Sequence, residues 1–325
     1  MKRFLLFAAA ATMFFAACQK TVVVYDNPDP QEISFLAVNK TATKAPVDGT
    51  NFPTGDKMQV AAYLASGGTA AGNYFGKTEF DENGGVWTGG KYWPITASTI
   101  NFLAVSEPDS DSLAVTTFNA TYAAQSASVE LTGNATAQYD LMYAAGQGKC
   151  SPGVYPKVDM QFRHALTWLF FTVKANVAAT VTVNSITVKS TAVDGTLAID
   201  NSTNYAATTD VTSSAATIGA TWTPDAKADQ TVVGIPVDCT VALQEYNFGS
   251  LLVLPTASEA KSFTINYTIT NGSDETTYNY THNFTSEWNM SSKYTYNITI
   301  GLNVIEIDPD VIAWTTETAS NVSLI

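Results

Sequence analysis

Residues 263–269 place Phe263, Ile265, Tyr267 and Ile269 in alternation with Thr264, Asn266 and Thr268. Successive side chains of a strand point to opposite faces, so a period of two buries one apolar face and leaves the other in water. Asn271-Gly272 follows, a turn signal because both residues tolerate positive φ. Tyr278, Tyr280, His282 and Phe284 alternate on the return, which predicts a hairpin with one apolar face. Tyr294, Tyr296, Ile298, Ile300 and Leu302 repeat the pattern with Thr295, Asn297 and Thr299 outward. Further strand candidates are Ile33–Val38, Met58–Leu64, Thr99–Val105, Met160–Val173, Val181–Lys189 and Leu251–Leu254, rich in β-branched and aromatic residues. No stretch past the first residues carries a sustained 3.6-residue apolar stripe. The pattern excludes helical bundles and disfavours α/β folds; it predicts an all-β protein built of β-sandwiches.

Composition narrows the functions. Of 325 residues, 46% are hydrophobic and 14% charged, the opposite of a disordered chain. With 29 acidic against 16 basic side chains the formal charge is −13, so nucleic acid is not an expected partner: phosphate contact needs clustered Lys and Arg. At roughly 100–200 residues per domain the length fits two domains. The Gly- and Pro-rich stretch Gly146–Pro156 suggests a boundary that divides the chain into 32–150 and 151–325.

The N-terminus reads as an export signal. Lys2 and Arg3 precede an apolar run, Phe4–Phe15, that is too short to span a bilayer, and Ala16-Ala17-Cys18 closes it. Small residues followed by cysteine at this point resemble a bacterial lipobox. Residues 1–17 are then a lipoprotein signal peptide, Cys18 the acylated residue, and 18–31, with Pro28 and Pro30, a tether. More than one acyl chain on Cys18 would anchor the protein firmly, whereas a single chain holds marginally. Cys150 and Cys239 remain; export permits a disulfide, but neither lies in a spaced motif, and the reading is two small buried residues.

Motifs for chemistry are missing. The sequence has no phosphate-binding loop, no Gly-x-Ser-x-Gly elbow and no His-Glu-x-x-His, and its histidines number 2. His164 is in phase with Met160, Phe162 and Leu166, and His282 with Tyr280 and Phe284, so both are expected on inner faces of strands. Glu107, Asp109 and Asp111 lack the glycine and bidentate glutamate of a calcium loop and read as a solvated acidic turn. Asp308 and Asp310 around Pro309 read the same way. No cofactor, metal or catalytic residue is expected, and the chain is not read as an enzyme. Trp87, Tyr92 and Trp93 cluster around an expected turn at Gly89-Gly90. Buried, they plug one end of a sandwich, which is the preferred reading; exposed, they could stack on sugar rings.

Two terminal segments call for explanation. Asn39–Pro46 separates the first strand candidate from the rest and carries Lys40 and Lys44 among small polar residues. It is either a plain interstrand loop or a site for a trypsin-like protease. At the far end Val304, Ile305, Ile307, Val311, Ile312 and Trp314 supply extra strand-like sequence. It is either a last strand of the chain's own sheet or a strand offered to another subunit.

Read together, these pieces resemble the fimbrillin family of lipidated pilin precursors that build type V fimbriae of anaerobic Gram-negative bacteria. The resemblance is carried by Ile33-Ser34-Phe35 before Thr43-Lys44-Ala45-Pro46, Phe52-Pro53, Tyr74-Phe75, Trp87, Tyr92-Trp93-Pro94 and Ile100–Ala104. It continues through Asp140–Ala144, Phe162–Leu166, Leu251–Pro255 and Tyr294–Ile298. It implies two transthyretin-like Greek-key β-sandwiches in tandem and cleavage after Lys44, or after Lys40, by a trypsin-like maturation protease. That cut would release a strand holding Ile33, Phe35 and Val38, and Val304–Trp314 of another subunit would fill the vacancy. The implied protein is an outer-membrane lipoprotein precursor that becomes a cell-surface fimbrium, with other pilin subunits as partners and adhesion as its role. The alternative is a surface lipoprotein or tip adhesin that binds glycans through exposed aromatics.

Overall fold

The computed structural model describes residues 31–38, 52, 54–65, 73–106, 114–119, 124–201, 218–225, 227–232, 237–240, 243–301 and 305–313. In chain order the strands begin with β1 (Glu32–Val38), β2 (Lys57–Ala65), β3 (Asn73–Asn83), β4 (Val86–Tyr92), β5 (Ser98–Ser106), β6 (Ala114–Phe118) and β7 (Ser126–Leu131). One helical turn, α1 (Asn134–Ala137), precedes β8 (Met142–Cys150), β9 (Val158–Gln161), β10 (Arg163–His164), β11 (Thr167–Asn176), β12 (Thr180–Ala192) and β13 (Gly195–Asp200). Then come β14 (Gly219–Pro224), β15 (Lys227–Val232), β16 (Val237–Asp238), β17 (Tyr246–Val253), β18 (Thr256–Asn271), β19 (Asp274–Trp288), β20 (Ser292–Gly301) and β21 (Ile305–Ala313). The described part is all-β apart from α1, as the alternation requires.

The strands form two pairs of facing sheets. An eight-stranded sheet runs β10-β8-β5-β2-β3-β4-β1-β9 and a four-stranded sheet runs β14-β13-β7-β6. One face of β2, β5 and β8 (Ala61, Tyr63, Leu103, Val105, Tyr143) packs on Ala127 and Val129 of β7 and Leu197 and Ile199 of β13. The opposite face of the large sheet encloses a second core, in which Ile33, Phe35, Phe80, Trp87, Phe102 and Met160 meet. The second pair sets β17-β11-β20-β21 against β15-β12-β18-β19, with β16 also on β12. Between them lie Leu169, Phe171 and Val173, Val181 and Val183, Phe263 and Ile265, Tyr296 and Ile298. Full burial of each such side chain contributes about 1.5–3 kcal/mol. Trp168, Leu166, Leu252 and Leu254 point to the other side of β11 and β17 and meet Leu131 and Trp222, joining the two sheet pairs.

The 263–269 run becomes β18, with Phe263, Ile265 and Tyr267 buried, and it pairs in register with β19 from Asn271↔Asp274 through Tyr267↔Tyr278 to Phe263↔His282. Gly272 takes the positive φ of the turn, at 65°.

Four expectations are corrected. Met160–Val173 is not one strand: β9 and β10 belong to the large N-terminal sheet and β11 to the second pair. The chain changes sheets at Ala165-Leu166, where Ala165 N–H donates to Leu141 O and Ser291 N–H to Leu166 O. Strands from both sides of residue 150 therefore build the first sheet pair, since β9, β10, β13 and β14 all join it. Gly89-Gly90 is not a turn but part of β4; a Cβ on Gly89 would lie 2.6 Å from Glu79 O, so the glycine lets β4 cross close over β3. The turn falls at Gly84-Gly85, whose φ values are 63° and 87°. Asp308 and Asp310 lie along β21 rather than in a turn, and both are exposed.

Candidate strand-exchange site

Among the expected site residues, the first strand has the most constrained surroundings. β1 is an internal strand: it pairs antiparallel with β4 (Glu32↔Tyr92, Ser34↔Thr88, Phe35↔Trp87) and parallel with β9 (Phe35↔Val158, Leu36↔Asp159, Ala37↔Met160, Val38↔Gln161). The alternation of its sequence sets its faces. Ile33 and Phe35 are fully buried, while Leu36 points out at 37% exposure. The Phe35 ring stands edge-on to Phe80 and Phe102, each at 5.0 Å between centroids, the preferred geometry for aromatic pairs. At the start of the strand Gly90 N–H donates to Glu32 Oε1 at 2.8 Å and Trp93 N–H to Gln31 O at 2.9 Å. Loss of β1 would strip β4 and β9 of a backbone partner on one side each and open the aromatic core.

Glycines hold the far wall of this site close. A Cβ on Gly148 would sit 2.3 Å from Trp93 Cη2, and one on Gly146 would sit 2.6 Å from Met160 Sδ. Only bare backbone lets β9 lie across β8 and bring Val158 and Met160 over the core. Next to this wall Phe52 packs edge-on against Trp87 and Phe162, at 5.1 Å from each. Phe52 is the first described residue after β1; Lys40 and Lys44 lie between them, outside the described residues. Cys18 and residues 1–17, Glu107, Asp109 and Asp111 also fall outside.

The C-terminal run forms β21, an edge strand paired antiparallel with β20 from Ile300↔Ile305 to Ser292↔Ala313. Ile305 is buried and Ile307 half-buried against the second core, whereas Val311 and Ile312 are exposed. Val304 and Trp314 lie outside the described residues. Pro309 sits opposite Tyr296, in keeping with the confinement of strand prolines to edges.

The remaining sequence candidates separate. Trp87 and Trp93 are 1% and 3% exposed, while Tyr92 is 48% exposed. The tryptophans therefore plug the core, and Tyr92 stands alone rather than in an aromatic row, which counts against a sugar platform built from these three. His164 is buried with its Nδ1 2.8 Å from Asp140 Oδ1, and His282 is half-buried between the rings of Tyr280 and Phe284. Cys150 and Cys239 are free and buried in different cores. Burial raises both thiols, Cys239 to about 11, with the Asp238 charge adding to it. Among the described residues no group of three metal-ligating side chains converges, and no helix is long and apolar enough to cross a membrane.

Buried Lys261 was not singled out by sequence. It sits 4.7 Å above the Trp288 ring and donates to Ser286 O at 2.7 Å; burial lowers its pKa, and the nearby Glu259 carboxylate partly restores it. It bolts the base of the β18–β19 hairpin.

An all-β chain of facing sheets, with the first described strand internal and the last at an edge, has the form of a β-sandwich protein. A model of the fimbrillin-like family matches residues 43–314, and the chain belongs to that family. This membership supports a fimbrial subunit role. The fold is shared with a candidate cell adhesion protein from Bacteroides uniformis, 19% identical, over 87% of this chain and 98% of that one, with a TM-score of 0.51. A fimbrial protein from Bacteroides vulgatus aligns at 16% identity over 79% and 93% of the two chains, with a TM-score of 0.49. The fimbrial anchor protein Mfa2 from Porphyromonas gingivalis aligns at 10% identity over 88% and 98%, with a TM-score of 0.38. No curated protein matches the chain.

Proposed function

We propose that this protein is a structural pilin, exported as a precursor lipidated on Cys18, trimmed after Lys44 or Lys40 by a trypsin-like protease, and polymerised by strand exchange. On this reading it passes from an outer-membrane lipid anchor to a cell-surface fimbrium of like or mixed subunits that supports adhesion. Its two sheet pairs act as transthyretin-like units. The observation that carries the proposal is the position of β1: an internal strand with Ile33 and Phe35 in the core, tied to the rest through residues that include Lys40 and Lys44. A vacated β1 site leaves buried polar backbone unpaired, at about 1–3 kcal/mol for each group, so a foreign strand has strong reason to enter. The segment Val304–Trp314 is the proposed donor. In the free chain part of it lies as β21 at an edge, where Val311 and Ile312 are 52% and 46% exposed. A contact of donor to vacancy joins two different surfaces and need not close, so it propagates a filament.

Trypsin treatment of the purified precursor, followed by N-terminal sequencing and electron microscopy, tests this. Polymers whose subunits begin at Ala45 are expected; an intact monomer under all conditions would overturn the proposal. A chain lacking Val304–Ile325 should stay soluble and form no fibres, and long fibres from it would refute the donor assignment.

A further inference from the structure

The second sheet pair ends on one side in two edge strands, β19 and β21, and they are protected unequally. β21 carries Glu306, Asp308, Pro309 and Asp310 in nine residues, charges and a proline that oppose edge-to-edge pairing with another sheet while the strand stays on β20. β19 has no Lys, Arg, Asp, Glu or Pro from Thr276 to Ser286, and β18 is its one strand partner among the described residues. On its core-facing side, aromatic side chains remain incompletely covered: Tyr278 is 42% exposed, and Tyr280, His282 and Phe284 are half-buried. A long edge without charges from Thr276 to Ser286 is a template for another strand.

We propose that β19 pairs antiparallel with β19 of a second copy of this chain, with Thr281 at the two-fold axis. The sequence of the edge selects this occupant. About Thr281, residue 278 faces 284 of the partner and 280 faces 282, so the aromatic face meets an aromatic face. On the other face Asn279 meets Asn283 and Thr277 meets Thr285. This outer face is already tied to β18 by like pairs, Thr264 to Thr281 and Asn266 to Asn279, and the pairing continues that pattern by one more strand. Charge decides between the edges. In a chain of net charge −13, two β21 edges would set Glu306, Asp308 and Asp310 of both copies against one another, whereas the middle of β19 brings no like charges together. An isologous contact of this kind closes as a dimer, and eleven residues at about 3.4 Å each give an edge of about 37 Å. The contact uses neither β1 nor β21, so it stands or falls apart from strand exchange.

The register makes one like-charge prediction: Glu275 opposes Glu287 of the partner at each end. Sedimentation of the full-length protein carrying Cys18→Ser, to exclude lipid-mediated association, is expected to show a concentration-dependent dimer. Thr281→Lys puts two lysines at the axis and should weaken it at least tenfold, while Thr264→Lys, on the same face but one strand inward, should leave it intact. Glu275→Lys should tighten it roughly fivefold, because it turns the like-charge cross-strand pair at each end into one of opposite charges. Thr281→Cys should cross-link to itself on mild oxidation, which keeps the test open if Thr281→Lys fails to fold. A monomer at all concentrations, a dimer indifferent to Thr281→Lys, or a Glu275→Lys dimer no tighter than the parent would overturn the proposal.

Discussion

Replacing Phe35 by alanine should cost the precursor about 3–5 kcal/mol, the range for a buried phenylalanine whose cavity cannot collapse. The site is of that kind. The ring is fully buried, edge-on to Phe80 and Phe102 at 5.0 Å each, on a strand held from both sides. Each edge-to-face pair contributes about 0.5–1.5 kcal/mol of the total. Because two sheet pairs need not unfold as one unit, a global midpoint is the wrong readout. Hydrogen exchange read on peptides from β4 and β9, the strands flanking β1, reports the local opening. At 1.4 kcal/mol per tenfold, protection there should fall by about two to three and a half powers of ten. Leu36→Ala, one residue on and facing outward, should change it less than tenfold. Equal effects at the two positions, or a drop under tenfold for Phe35→Ala, would refute the inward placement of β1 on which the release argument depends.

Two further outcomes follow from the packing. Gly148→Ala places a Cβ 2.3 Å from Trp93 and should destabilise by about 1–3 kcal/mol, measured as loss of protection in β9; an unchanged β9 would mean the wall is not tightly set. Burial pushes the Tyr63 and Tyr296 phenols up to about 12, above the value of about 10 in an unfolded chain. Between these values the unfolded state gives up its protons first, so stability is full below about pH 10 and falls as the pH climbs towards 12. Tyrosinate absorbance should therefore rise late and together with loss of near-ultraviolet dichroism, and a smooth titration of all 15 tyrosines near pH 10 in a still-folded protein would refute it.

The alternating runs were readable because they face one core each. Phe263–Ile269 and Tyr294–Ile300 give β18 and β20 with their inward residues as expected, and Ile33 and Phe35 take buried places by the same logic. The sheet β14-β13-β7-β6 was not legible. Ser126–Leu131 is short, small and partly charged, and its partner Gly195–Asp200 lies on the far side of the expected boundary. Alternation reports which face is wet, not which strand lies alongside. For the same reason nothing in Val158–Gln161 announced a parallel partner for β1, and the apolar run to Val173 concealed a change of sheet. Tyr92 differs from Trp93 because neighbouring residues of an extended chain face opposite sides: Trp93, like Trp87, turns into the core, and Tyr92 between them turns away from it.

The mixed pairing of β1 gives its slot a direction. Bonds to β4 cross the gap squarely, as in antiparallel pairs, while those to β9 slant, as in parallel ones. A guest running the same way as β1 can reuse both sets; one entering backwards must redraw both against walls already fixed by close packing. Copies joined through such a slot would all point one way, giving a filament with two unlike ends.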